Sequence, residues 1–354
     1  MATSRASLVG VAALVIAGAA MAGACSSDPV VSPVAAADAS TEKSPPPPSD
    51  AGPQAVTGPE KLSGTGLYSD FAARTLADGV RPYTPAYPFW SDGDKVQRWF
   101  QLPPNTKIDT VGMDDWSFPV GTKAWFEVTV KGVVMETRFL WKARADAWFQ
   151  VAYAWLADGS DAVATPEGID NASGTSHEIP SRKACQECHG EVLDQLVGVS
   201  AFQLSNGGKG MLSTLIAEGR LTNPPAGEFT MPGNDVERAA LGYIHGNCGN
   251  CHNDFSNLKT QTPMRLRVLT TETTAAMAGP YRTSLNVKML HEIMPDIFDV
   301  LIPGDVAHSG LYQRMARRDN WGMPPHSKRI DGTGCDAVSS WIAAMPPLTD
   351  AGAD

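Results

Sequence analysis

Apolar and polar residues alternate along an aromatic-rich stretch from Tyr68 to about Val163. A period of two residues is typical of β-strands that bury one face. The alternation predicts a hairpin over residues 124–141 with its turn at Lys131-Gly132, and a further strand over residues 149–155 that ends at the favoured turn pair Asp158-Gly159. The alternating apolar positions are Ala124, Phe126, Val128, Val130, Met135, Phe139, Trp141, Phe149, Val151, Tyr153 and Trp155.

Tryptophan is concentrated in the same stretch, since seven of the nine lie between Trp90 and Trp155. A surface rich in tryptophan can bind sugars, but tryptophan buried in the core of a small sandwich is more common. We therefore expect residues 60–165 to form a β-rich, sandwich-like domain with these rings in its core. A ligand platform is the alternative.

The period of the pattern changes to that of helices after Pro180. Residues 210–219 place four apolar side chains on one helical face, and Gly219 is suited to the C-terminal cap. A second helix is predicted after Asn234 and a third from Asp336. Strands followed by helices predict the α+β class, with the β domain first and mainly α-helical domains after it.

The chain has 354 residues, of which 43% are hydrophobic and 19% charged, and its formal net charge is -10. These values are typical of a soluble globular protein. That length is typical of two or three folding units. Nucleic acid is disfavoured as a partner, because binding to phosphates requires clustered Lys and Arg. The acidic surface keeps the protein soluble, and it could also attract a basic partner.

The first 25 residues have the pattern of an export signal, with Arg5 before the apolar run Leu8 to Ala20. The sequence Ala22-Gly23-Ala24-Cys25 resembles the cleavage box of bacterial lipoproteins, which predicts lipidation of Cys25. Cleavage after Ala24 without a lipid is the alternative. Residues 26–59 are rich in Pro, Ala and Ser and are predicted to be a disordered linker. We expect a periplasmic or outer-membrane-anchored protein of a Gram-negative bacterium, with no other membrane contact.

Two pentapeptides carry the strongest chemical signal, Cys185-Gln186-Glu187-Cys188-His189 and Cys248-Gly249-Asn250-Cys251-His252. Both fit the attachment pattern of haem c, and this composition predicts only about 0.002 such matches by chance. The two thiols add to the porphyrin vinyl groups, and the adjoining imidazole then reaches the iron. The sequence therefore predicts two covalently bound haem c groups with His189 and His252 as iron ligands.

Zinc and disulfides are the alternative uses of such cysteines. Paired Cys-x-x-Cys zinc sites are usually separated by about 15–20 residues, whereas 59 residues lie between Cys188 and Cys248. Disulfides persist in exported proteins. Neither alternative explains a histidine directly after each pair, so haem attachment is the preferred interpretation.

The sixth ligand of the second iron is predicted to be Met323, in Gly322-Met323-Pro324-Pro325, which lies 71 residues after His252. A thioether ligand raises the reduction potential relative to two histidines. Met231 is the first candidate for the other iron, although His177 and Met211 are also near in sequence and an open position is an alternative. The remaining histidines are predicted to be surface or structural residues: His245, His291, His308 and His326. Cys335 is predicted to be a buried thiol.

The segment from Cys248 through Ile302-Pro303-Gly304-Asp305 and Met323-Pro324-Pro325 to Trp341-Ile342 resembles class I cytochrome c modules. About residues 65–346 are similar to a poorly characterised family of exported bacterial dihaem cytochrome c-like proteins. Further motifs that carry this resemblance are Tyr87-Pro88-Phe89-Trp90-Ser91-Asp92-Gly93, Phe118-Pro119-Val120-Gly121-Thr122 and Ile179-Pro180-Ser181-Arg182. It implies a first haem-binding region at 166–233, a class I cytochrome c-like domain at 234–346 and a tail at 347–354.

The resemblance implies haem binding and electron transfer, with other redox proteins as donor and acceptor. We expect one-electron transfer rather than catalysis. A dihaem enzyme of the peroxidase kind, with an open first haem, is one alternative. A haem-containing binding or sensor module that uses the Trp-rich domain is another.

Overall fold

A six-stranded antiparallel sheet occupies the first part of the computed structural model, which describes residues 56–207 and 210–346. The predicted export signal, Cys25 and the tail lie outside the described residues. Strands β3 to β8 follow one another in chain order across the sheet, while β1 and β2 form a separate ribbon. The strands are β1 Tyr68–Asp70, β2 Thr75–Leu76, β3 Val80–Pro82, β4 Lys95–Gln101, β5 Lys123–Val130, β6 Val133–Arg144, β7 Ala147–Trp155 and β8 Ala162–Ala164.

The predicted hairpin is confirmed as β5 and β6. Lys131 and Gly132 both have a positive φ, 48° and 86°, which suits the right-handed twist of the flanking strands. Trp125 pairs with Phe139, and Ala124 pairs with Leu140. The two predicted alternating sets therefore lie on opposite faces of the sheet, and both faces are buried.

Each face of the sheet packs against a different part of the chain. Trp125, Phe139 and Tyr153 pack on one face with Leu62 and Leu67, from the segment before β1. The other face carries Phe100, Leu140 and Trp148, and it is covered by side chains that follow residue 195, including Leu204, Leu212 and Leu215. The sequence predicted a sandwich-like domain. In the described residues, helices and loops cover this second face of the sheet instead.

The tryptophans of the sheet region serve mainly as core residues. Trp99, Trp116, Trp125 and Trp148 are buried, and the other three are partly buried. Burying rings of this size stabilises the fold through the apolar area removed from water. Their placement agrees with the core interpretation rather than with an exposed ligand platform.

Six α-helices follow the sheet within the described part of the chain: α1 Arg182–His189, α2 Met211–Ala217, α3 Asp235–Asn247, α4 Gly279–Arg282, α5 Gly310–Met315 and α6 Gly332–Ala344. The mixed class, with strands first and helices after, is confirmed. The predicted helices at 210–219 and after Asn234 are present as α2 and α3. A capping box formed by Asn234 and Glu237 begins α3. None of the helices in the described residues is long and apolar enough to cross a membrane.

The third predicted helix begins earlier than expected. The Asp331 side chain accepts a hydrogen bond from the Gly334 N–H at 3.1 Å and so caps α6 at its first turn. Gly332 and Gly334 are poor helix formers, which is why the periodic pattern is visible only from Asp336. Gly334 is required at this position, because a Cβ there would lie 2.1 Å from the Tyr243 ring of α3.

Helices α3 and α6 pack against each other. Their buried contacts form the core of the C-terminal part, with Leu241 and Ile244 from α3 and Val338, Trp341 and Ile342 from α6 among its members. This contact places the residues that follow α3 beside the segment that precedes α6.

The loop between β3 and β4 joins the sheet to this helical core. The Asn247 side chain accepts from the Trp90 N–H at 2.7 Å and donates to the Pro88 carbonyl at 3.3 Å. Tyr87 packs so closely on α3 that a Cβ on Gly246 would lie 2.3 Å from its carbonyl oxygen. The described residues belong to one compact unit, and the predicted division at residues 165 and 233 stays a prediction.

Candidate functional site

The first motif, residues 185–189, forms the last part of helix α1. The Ser181 hydroxyl caps this helix by accepting from the Ala184 N–H at 3.2 Å. No residue of α1 is fully buried, so Cys185, Cys188 and His189 are partly accessible. The His189 Nδ1 lies 2.6 Å from the Gln195 carbonyl oxygen. This contact fixes the ring and leaves Nε2 free, which is the usual arrangement of a metal-binding histidine.

Burial lowers the pKa of His189 to about 4, so its imidazole is neutral at neutral pH. A neutral ring offers a lone pair to a metal. Burial also raises the pKa of the Cys185 thiol, although the guanidinium of Arg138 acts in the opposite direction. Arg138, on strand β6, carries a positive charge that acts to lower the pKa values of Cys185, Cys188 and His189.

The second motif, residues 248–252, begins at the last turn of α3. The Cys248 N–H bonds the Ile244 carbonyl at 2.8 Å, and the His252 N–H bonds the Cys248 carbonyl at 2.9 Å. Only glycine fits at position 249, because a Cβ there would lie 2.7 Å from the His245 carbonyl oxygen. Burial raises the pKa of the Cys248 thiol to about 12.

His252 is the second candidate iron ligand. Its pKa is lowered to about 4 by burial, with further lowering by the charges of Arg314 and Arg265. Its Nδ1 atom is buried and has no hydrogen-bond partner within the described residues. A neutral imidazole with an unpaired nitrogen beside two thiols is suited to haem.

The Met323 loop is bonded to Arg314, whose charge acts on this histidine. The Met323 N–H bonds the Arg314 carbonyl at 2.8 Å, and the Arg314 charge acts on His252. The Arg318 guanidinium donates to the Met323 carbonyl at 3.1 Å. The Met323 side chain is itself partly exposed. These contacts position the loop that would carry the predicted thioether ligand.

The candidate ligands of the first iron have other surroundings. Met231 is 1% exposed in the core that includes Phe202 and Leu241, which favours a packing role. His177 lies between two carboxylates, with Nε2 3.0 Å from Glu136 and Nδ1 3.6 Å from Asp94. Met211 packs on the core of the sheet. The prediction that Met231 binds iron stays a prediction.

The other histidines have contacts of a structural kind. His245 accepts at Nδ1 from the Val268 N–H at 3.2 Å, and burial lowers its pKa to about 3. The remaining three contact a carboxylate or an aromatic ring: His308 with Asp305, His326 with Glu187, and His291 with Trp321. Cys335 is buried in the helical core, as predicted.

The two motifs lie side by side, which the sequence did not indicate. The Cys251 Sγ atom lies 4.0 Å from the carbonyl oxygen of Glu187, the residue before Cys188. The proximity of the two thiols lowers the pKa of Cys188 and raises the pKa of Cys251. With 59 intervening residues, no spacing rule predicts the approach.

Asp194 is a further residue that the sequence analysis missed. Its carboxylate accepts from the buried Lys142 ammonium at 2.6 and 2.8 Å and from the Trp148 Nε1–H at 2.9 Å. These bonds tie the segment after the first motif to strands β6 and β7. No motif marks an ion pair whose partners are 52 positions apart.

Comparison with protein-family models, with curated proteins and with solved structures found no match to the chain. Among the described residues, no group of three or more His, Cys, Asp and Glu side chains is arranged to hold a metal ion. Five described cysteines are free thiols: Cys185, Cys188, Cys248, Cys251 and Cys335. Free thiol pairs followed by neutral imidazoles fit haem c, which requires two thiols and one histidine per site.

Proposed function

We propose that this chain is a dihaem c-type cytochrome that transfers single electrons. The observation that carries the proposal is the pair of Cys-x-x-Cys-His motifs, each with two free thiols and a neutral, partly buried imidazole. Cys185, Cys188, Cys248 and Cys251 would hold the two porphyrins, and His189 and His252 would bind the irons. When bound, haem supplies the Fe(II)/Fe(III) couple.

The surrounding residues would set the two reduction potentials. The Gln195 carbonyl orients His189 and increases its basicity as a ligand. The nearby positive charges, Arg138 at the first motif and Arg314 at the second, disfavour the more positive ferric state and so raise the potential. The Met323 thioether would raise that of the second haem further.

The C-terminal part supports assignment of residues 234–346 to a class I cytochrome c-like module. Helix α3 leads into the second motif, α6 packs on α3, and the Met323 loop lies between these two helices in sequence. This order resembles that of class I cytochromes c. The predicted export signal and the predicted lipidation of Cys25 support a lipid-anchored protein of the periplasmic face that exchanges electrons with other redox proteins.

A peroxidase-like dihaem enzyme is the second candidate. His177 and Met231, two candidates for the sixth position of the first iron, are engaged elsewhere. An iron with an open position can bind peroxide or carbon monoxide. This alternative assigns electron entry to the second haem and the reaction to the first.

Expression in a host that attaches haem c tests both candidates. The expected mass is the processed polypeptide plus two haems, and the pyridine haemochrome assay should give two haems per chain. The double variants C185A/C188A and C248A/C251A should each retain one. A mass of the bare polypeptide would contradict the proposal, and a reduced spectrum altered by carbon monoxide would favour the enzyme.

A further inference from the structure

The contact between the two motifs involves equivalent residues. Cys188 and Cys251 are each the second cysteine of their motif, and the Cys251 Sγ atom lies 4.0 Å from the carbonyl oxygen of Glu187, the residue that precedes Cys188. When haem is attached, each such sulfur would be bonded to a former vinyl carbon at the porphyrin edge. Two porphyrins attached at neighbouring cysteines would therefore have these edges close together.

Hydrogen bonds that do not involve the cysteines hold the motifs in the same arrangement. The Asn253 side chain donates to the Glu191 carbonyl at 3.0 Å. The Glu191 carboxylate accepts from the Asn257 N–H at 2.7 Å and from its side-chain amide at 3.2 Å. The segment after each motif is thus bonded to the segment after the other.

The Met323 loop adds a third connection. His326 Nε2 lies 2.7 Å from the Glu187 carboxylate, within the first motif, while the Met323 N–H of the same loop bonds Arg314 beside the second motif. One short segment therefore contacts both motifs. Three separate sets of contacts thus hold the motifs together.

We propose that the two haems form an edge-to-edge pair. The porphyrin edges attached to Cys188 and Cys251 would lie next to each other, and the two haems would be electronically coupled. This inference rests on the proposed function. The step it describes is the transfer of one electron from the ferrous iron of one haem to the ferric iron of the other. One iron is oxidised and the other reduced, and no bond or proton changes place.

Circular dichroism in the Soret band tests the pairing. The oxidised holoprotein should show a band with two lobes of opposite sign, because the transitions of two close porphyrins couple. C185A/C188A and C248A/C251A each keep one haem and should show a band of one sign. The sum of the two single-haem spectra should lack the two-lobed shape.

A variant that loosens the contact, without removing a haem, tests the same point. Glu191→Ala deletes the carboxylate that bonds Asn257 and should reduce the amplitude of the two-lobed band. Glu218→Ala is the matched control, because that carboxylate bonds Arg81 at the sheet. Haem content by pyridine haemochrome should remain two per chain in both variants.

The outcomes separate this inference from the proposed function. A protein with two attached haems whose spectrum equals the sum of the single-haem spectra overturns the pairing and leaves the cytochrome proposal intact. A protein without attached haem overturns the proposed function itself. An equal amplitude in Glu191→Ala and wild type would show that the contact does not set the haem arrangement.

Discussion

The residues of the candidate site differ in how well the sequence predicts their roles. The cysteines and histidines of both motifs follow from spacing alone, since the chemistry requires those five positions in that order. Asp194 and Asn253 could not be predicted, because their importance comes from partners distant in sequence. Local patterns do not encode contacts of this kind, which form only when the chain folds.

Two methionines offer a matched test of iron ligation. Met323→Leu should lower the potential of one haem and let its reduced form bind carbon monoxide, because the thioether is lost. Met231→Leu should leave both potentials unchanged and cost less than about 1.5 kcal/mol of stability, because it is a volume-conserving change in a core. Redox titration followed in the visible spectrum measures both. A lowered potential in Met231→Leu would instead identify Met231 as a ligand.

The ion pair between Lys142 and Asp194 predicts a large effect on stability. Asp194→Ala would leave the Lys142 ammonium buried without its carboxylate, which typically costs about 3–5 kcal/mol. Urea unfolding monitored by tryptophan fluorescence measures the change. Glu218→Ala removes a more exposed ion pair with Arg81 and should cost no more than about 1 kcal/mol. Equal losses in the two variants would refute the structural role of Asp194.

At the scale of elements, the sequence predicted whether a segment is a helix or a strand better than where the segment begins or on which face of the sheet its side chains lie. The β5–β6 hairpin and helices α2 and α3 were predicted, because two-residue and helical periods are strong local signals. The start of α6 was missed, since Gly332 and Gly334 hide the helical pattern. The assignment of alternating residues to sheet faces was not predictable either, because a bulge near Val128 shifts the register.

The close packing of α3 on Tyr87 predicts a glycine requirement at position 246. Gly246→Ala would place a Cβ 2.3 Å from a backbone oxygen, and such overpacking costs about 1–3 kcal/mol. The higher helix propensity of alanine recovers at most about 1 kcal/mol, so the melting temperature should fall. Gly332→Ala, where no atom lies within 4 Å of the added Cβ, should leave it unchanged or raise it. A stabilised Gly246→Ala protein would disprove this packing argument.

At the scale of the whole molecule, hydrogen bonds connect the sheet to the helical part in addition to the polypeptide chain itself. Asp92, in the loop between β3 and β4, accepts from the backbone N–H groups of Lys328 and Arg329 at 2.9–3.1 Å. The Trp90 Nε1–H donates to the Arg329 carbonyl at 3.0 Å. The sequence marked this loop only as a shared motif, since its partners lie far along the chain. Its contacts indicate a role in holding the Met323 loop.

Asp92→Ala should therefore loosen the loop that contains Met323. We expect faster amide hydrogen exchange over residues 317–331, because two backbone N–H groups lose their acceptor. Exchange followed by mass spectrometry measures the rate. Asp158→Ala is the control, since that carboxylate accepts from Ser160 in the turn before β8, away from the Met323 loop in sequence. Unchanged exchange in the Asp92 variant would show that other contacts hold the loop.

The separation between Asp92 and Arg329, 237 positions along the chain, sets an order of events during the proposed export. A polypeptide that crosses the membrane from its N-terminus presents both haem motifs before Lys328 and Arg329 emerge. For the proposed cytochrome, this order leaves both motifs open to haem attachment before Asp92 gains the two backbone partners that hold the Met323 loop.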